Sequence, residues 1–245
     1  MNHIEKKNTD FKAGQILVFD KPLHWTSFQL VGKVRWMLCR AIGEKKLKVG
    51  HAGTLDPLAT GVMVVCTGKA TKRIEELQKG EKEYIATLQL GATTPSYDLE
   101  HEVDETFPTA HINAALIADV LERFRGDIDQ VPPAFSACKI DGKRAYDLAR
   151  KGQDVALQAK PIHIYEYVLT DYRDDTHQAD VRIVCSKGTY IRSLARDLGE
   201  ALGCGAHLTA LRRTAVGDHD LSHAFTIEAF EAWLATQDID TQLPA

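Results

Sequence analysis

The sequence predicts an α+β fold with one mixed, largely antiparallel sheet flanked by helices. Three observations predict it. Strand-like and helix-like segments interleave without the regular alternation that a parallel, doubly wound sheet requires. Segments such as "KEYIATLQLG" alternate apolar and polar residues with the period of a half-buried strand. The chain has 245 residues, 44% hydrophobic and 26% charged, which is an ordinary globular composition with length enough for a sizeable core.

The elements follow in order. Residues 1–13 are polar and expected to be a flexible tail, without the apolar stretch of a signal peptide. "QILVFDKP" reads as a buried strand ending at a turn. "TSFQLVGKVRWMLCRAIG" reads as a helix, with Thr26 and Gln29 at capping-box spacing and Gly43 as its stop. "GVMVVCTG" is an apolar run of strand length, "ATKRIEELQKG" is helical, and "KEYIATLQLG" is a strand. "INAALIADVLERFRG" is an amphipathic helix closed by Gly126. "KIDGKR" carries an Asp-Gly turn of hairpin type. "PIHIYEYVLTDY" and "QADVRIVCSKG" are two strands of one sheet, "YIRSLARDLGEALG" is a helix, "HLTALRRTAVG" a strand and "TIEAFEAWLA" a helix. No repeat, low-complexity tract or Gly/Ser linker marks a boundary, so residues 14–245 are expected to form a single domain.

Composition narrows the function classes. No apolar run approaches the roughly 18 residues of a membrane helix, and the expected location is the cytoplasm. The cysteines at 39, 66, 138, 185 and 204 form no CxxC pair, which argues against a zinc knuckle or redox dithiol. The net charge of −4 is uneven: six of the 34 acids and none of the 30 bases lie beyond Arg213. The bases gather in "EKKLK", "GKATKR", "SKGTYIR" and "LRR", and such local clusters steer a polyanion more than the total charge does. "GVMVVCTGKAT" has the wrong glycine spacing for a phosphate loop, and no ligand cluster for a metal is present.

One stretch remains, "GHAGTLDPLATG" at residues 50–61. It seats a lone carboxylate, Asp56, where Pro57 disfavours helical geometry and Gly50 and Gly53 permit tight turns or close approach by a ligand. Asp56 capping a short helix with Pro57 at its first position is one reading. An active-site loop mounted on a sheet is the other.

"KVGHAGTLDPLATGVMVVCTGKATK" resembles the catalytic motif of the TruB family of tRNA pseudouridine synthases. "ILVFDKP", "KEYIATLQLG" and "CSKGTYIRSLARDLGEALGCGAHLTALRRTAVG" resemble further motifs of that family, so the likeness runs from about Gly14 to Gly217. It implies a pseudouridine-synthase fold and isomerisation of uridine-55 in the T arm of tRNA, with base flipping, no cofactor, no metal and action as a monomer. Asp56 then matches the catalytic aspartate, a nucleophile able to hold sugar or base between two bond events. Attack on C1′, addition at C6 and proton removal from C2′ stay open.

Arg192 matches the arginine that pairs with this aspartate, and Tyr84 the tyrosine that stacks on the flipped uracil. Tyr190 matches a second tyrosine near the pocket, and His51 a histidine that wedges into the T loop. Lys21, Pro22 and Leu211 would line the pocket, while Lys72, Arg212 and Arg213 would meet phosphates. The family pattern "GxxTxTxD" stands here as "GATTPSYD", with Ser96 for the second threonine and Asp98 in place. The PUA-type RNA-binding domain usual in bacterial members is expected to be missing, the chain closing in an acidic segment instead. A tRNA-binding folding helper and a small-molecule isomerase are the rival readings; Asp56, Tyr84 and Arg192 together speak against the first, and the basic clusters against the second.

Overall fold

The computed structural model describes residues 9–136, 139–140, 143–144 and 157–237. Along the chain lie β1 (Ile16–Lys21), α1 (Ser27–Ala41), β2 (Val49–His51), β3 (Ala59–Thr67), a 3₁₀ segment (Gly68–Arg73) and α2 (Ile74–Leu77). There follow β4 (Lys82–Leu90), β5 (Ala92–Thr93), β6 (Glu105–Thr106), α3 (Ala114–Glu122), β7 (Gly126–Gln130), β8 (Lys139–Ile140) and β9 (Lys143–Arg144). The last are β10 (Lys160–Arg173), β11 (Gln178–Cys185), α4 (Ile191–Leu202), β12 (Ala206–Val216), β13 (His219–Asp220) and α5 (Ile227–Thr236). Two compact units result, one of Met1–Gly80 with Arg212–Ala245, the other of Glu81–Leu211.

The first unit is built around β3. It pairs antiparallel with β1, Val18 opposite Val64, and with β2, His51 opposite Val65. The apolar run "VMVVC" is continuous because both of its faces are covered. Met63 and Val65 pack with Leu30, Val34 and Leu38 of α1 and with Phe230 of α5, whereas Val62 and Val64 pack with Val18 and Val216. Helix α1 starts where the spacing predicts. The Thr26 hydroxyl accepts from the Gln29 backbone N–H, and the Gln29 side chain accepts from the Thr26 N–H at 2.8 Å. The tail expected to be flexible is anchored at its end. Phe11 is buried and meets Trp233 of α5 edge-on, because a large aromatic beside an open core gains more from burial than its backbone loses in freedom.

In the second unit the strand order is β4-β11-β10-β7. Both β4–β11 and β11–β10 are antiparallel, and burial along β4 alternates, as "KEYIATLQLG" predicts. Two expectations need correction. Gly126 does not close a helix: α3, capped by the Asn113 side chain, ends at Glu122, and Gly126 opens β7. "ATKRIEELQKG" is only a 3₁₀ segment followed by one turn of α-helix, a form common in short connectors and at helix ends. The hairpin of "KIDGKR" is formed, Lys139 pairing with Arg144 and Ile140 with Lys143; its Asp-Gly pair lies outside the described residues. Cys39, Cys66, Cys185 and Cys204 are free thiols, and Cys138 lies outside the described residues.

Candidate active-site loop

Asp56 lies in the loop that joins β2 to β3 and is half-buried. It caps no helix. Its carbonyl accepts from the Ala59 N–H at 3.1 Å, making Asp56-Pro57-Leu58-Ala59 a turn with proline at the position whose fixed φ suits it. Gly53, at φ +125°, supplies backbone conformation denied to a side-chain residue.

The loop is held from outside at almost every residue. Arg213 is 2% exposed. Its guanidinium donates to the carbonyls of Val62 (2.8 Å), Gly53 (3.1 Å) and Thr54 (3.4 Å). Ser27, also buried, accepts from the Leu55 N–H at 2.8 Å and donates back to the Leu55 carbonyl at 2.9 Å. The His24 N–H donates to the Pro57 carbonyl at 2.8 Å, with His24 itself at φ +66°.

Lys21 supplies a charge to this loop. It is wholly buried, donates to the carbonyls of Trp25 (2.6 Å) and Pro22 (2.9 Å), and attracts Asp56 electrostatically. Burial pushes its ammonium down to about 8, which the nearby Asp56 and Asp20 carboxylates oppose. A cleft of about 320 Å³ brings Lys21 and Pro22 together with Arg212, Asp20, Thr60 and Glu228. Arg212 is engaged there with the Asp20 carboxylate at 2.6 Å and with the Thr60 hydroxyl. His51 is half-buried, and burial lowers its imidazole below the ordinary histidine range, the Gly53 backbone opposing this and the Arg213 charge adding to it. Its Nδ1 is shielded and forms no regular hydrogen bond. Lys72 is exposed on the 3₁₀ segment.

The second unit holds the other expected residues. Tyr84 is 7% exposed on β4, opposite Ile183 of β11. Tyr190 caps α4, and both of its backbone groups are bound by the buried Gln130 side chain, at 2.8 and 3.0 Å. Arg192, in the first turn of α4, is 5% exposed. Its Nη2 donates to the Phe135 carbonyl (2.9 Å), its Nη1 to the Ser96 carbonyl (3.3 Å), and its Nε lies 3.7 Å from the Asp98 carboxylate. Leu211 is half-buried near the end of the unit.

One sequence expectation is overturned. Arg213 does not present its guanidinium to phosphates, since every one of its nitrogens faces a backbone carbonyl inside the protein. Adjacent residues on a strand point to opposite faces, so of "LRR" only one arginine reaches the surface. Ser27, Asp98 and Gln130 escaped the sequence reading as site residues. Asp98 alone carried a signal, its place in "GATTPSYD".

Among the described residues no cluster of His, Cys, Asp and Glu fits a metal ion, and no helix is long and apolar enough to cross a membrane. The fold is that of the pseudouridylate synthases. The model of the TruB family pseudouridylate synthase N-terminal domain matches residues 40–191, and that of the tRNA pseudouridylate synthase B C-terminal domain matches residues 192–244. The chain belongs to the TruB family.

It is 62% identical over 231 residues to tRNA pseudouridine synthase B of Phocaeicola vulgatus, covering 94% of this chain and 97% of that protein. The protein of the same name from Mycobacterium bovis is 48% identical, over 87% of this chain and 70% of its own length. Among solved structures, a Cbf5–Nop10–Gar1 complex superposes with a TM-score of 0.67 at 25% identity, covering 94% of this chain and 62% of the solved one. An H/ACA RNP bound to a substrate RNA containing 2′-deoxyuridine superposes at 0.65, also at 25% identity, covering 91% of this chain and 54% of the solved one. The chain thus spans less than two thirds of either solved chain.

Proposed function

We infer that the protein isomerises uridine-55 in the T arm of tRNA to pseudouridine, with Asp56 as the catalytic carboxylate. The reaction breaks the N1–C1′ bond, turns the uracil and joins C5 to C1′; the C5 proton leaves and N1 gains one. Nothing is oxidised, so one nucleophile and a means of holding the freed base suffice. The observation that carries this reading is Asp56 itself, a half-buried carboxylate on a loop pinned from both sides, beside the Lys21 charge, in a chain so similar to proteins named tRNA pseudouridine synthase B.

The remaining roles follow the motif resemblance. Arg192 steers the carboxylate, Tyr84 stacks on the uracil, Tyr190 lies close to the base, and His51 enters the T loop. Lys72 and Arg212 meet phosphates, and Lys21, Pro22 and Leu211 shape the pocket. A single copy acting in the cytoplasm completes the proposal.

The test is release of tritium from C5-labelled uridine in tRNA. Asp56→Asn keeps the shape and loses the charge, so release should stop while tRNA binding persists. Substantial pseudouridine formation by this variant would sink the reading.

A further inference from the structure

We propose that Ser27 and Arg213 are positioning residues that hold the backbone of residues 53–55 and thereby aim Asp56. The proposal rests on Asp56 being the catalytic carboxylate.

Leu55, the residue before Asp56, is 4% exposed and lies outside any strand. Its N–H and carbonyl would be costly to bury unpaired. A single hydroxyl serves both, since a serine offers one donor and two acceptor sites: Ser27 Oγ accepts from one and donates to the other. That hydroxyl is itself immobile. It sits on the first residue of α1, buried, within a complete capping box formed by Thr26 and Gln29.

Arg213 fixes the two residues before Leu55. Its guanidinium spans from the Val62 carbonyl on β3 to those of Gly53 and Thr54, tying the loop to the central strand. Among the described residues it forms no salt bridge. A buried guanidinium with carbonyls alone for partners is an expensive way to gain stability. It is an effective way to fix three carbonyls at once, because its fork is planar and rigid. Gly61 keeps this arrangement possible. A Cβ there would come 2.1 Å from the Arg213 carbonyl, so only glycine lets the two backbones approach. Chemistry that uses one nucleophile for two bond events is sensitive to such aim, since misplacement by about 1 Å can cost on the order of a hundredfold in rate.

The test compares Ser27→Thr with Ser27→Val, two side chains of one shape of which only the first has a hydroxyl. Single-turnover tritium release at saturating tRNA is measured beside the tRNA dissociation constant. The valine variant should react at least tenfold slower than the threonine variant, with dissociation constants within twofold of each other. Arg213→Lys, which keeps the charge but loses the rigid planar fork that spans all three carbonyls, should also lose at least tenfold in rate with binding and its salt dependence unchanged. Equal rates for the threonine and valine variants overturn the role of Ser27. Weaker binding with a shallower salt dependence for Arg213→Lys would mean a phosphate contact and overturn the role of Arg213. Asp56→Asn in the same assay separates the two readings: if it still turns over, the catalytic assignment falls, whereas an inactive Asp56→Asn beside equal threonine and valine rates removes only the positioning role of Ser27.

Discussion

Lys21 shows what the site costs at the scale of one residue. Burial brings its ammonium from 10.5 to about 8, so between those values the unfolded chain binds more protons than the folded one. Stability from this group therefore rises with pH across that window, and below it a constant penalty applies. The unfolding free energy of the wild type should gain on that of Lys21→Met by about 3 kcal/mol from pH 8 to 10.5. Urea titrations at several pH values measure this difference, and a flat one would rule out the buried charge as its source. Arg192 poses the complementary case, a guanidinium whose contacts include Asp98, Ser96 and Phe135. Arg192→Lys retains the charge but cannot serve all three, leaving carbonyls unpaired at a cost of about 1–3 kcal/mol. Turnover should fall at least tenfold through loss of the planar fork. A lysine variant equal to the wild type in stability and single-turnover rate would remove the arginine from the site.

Among the elements, α1 couples folding to the site most directly. Its cap, Thr26, adjoins Ser27, so a frayed first turn loosens the hold on Leu55. Thr26→Ala should destabilise the protein by about 1 kcal/mol, seen as a lower urea midpoint at constant slope; an unmoved midpoint contradicts the cap's contribution. Elements with strong periodicity or caps were legible from the residues alone, as Thr26 and Gln29 of α1 and the alternation of β4 show. Short ones were not. The strand bearing His51 has three residues, too few for a pattern, and forms because β3 offers it an edge. Asp56 stood out because proline and glycines isolate it. Ser27 and Gln130 did not, for a side chain that serves another segment's backbone carries no local mark, and the sharing of "LRR" between inside and outside is decided by strand pleat rather than by charge.

At the scale of the whole molecule, the charge distribution decides what the protein can hold. The residues after Arg213 carry six acids and no base, and α5 within them contributes Phe230 and Leu234 to the core of the first unit. That segment attracts no phosphate. The bases lie earlier, Lys72 exposed on its 3₁₀ segment and Arg212 half-buried beside Asp20. Recognition should then centre on the T arm, whose loop is read by shape and by the base flipped out of it. An isolated T-arm stem-loop should be nearly as good a substrate as full tRNA, and affinity for both should fall with salt in parallel, since the same lysines and arginines displace the same counterions. Catalytic efficiency on hairpin and whole tRNA, compared at two salt concentrations, tests this. A preference for whole tRNA above about a hundredfold, near 2.7 kcal/mol, or a steeper salt dependence for it, would place substantial phosphate contacts outside the T arm and assign them to bases other than these.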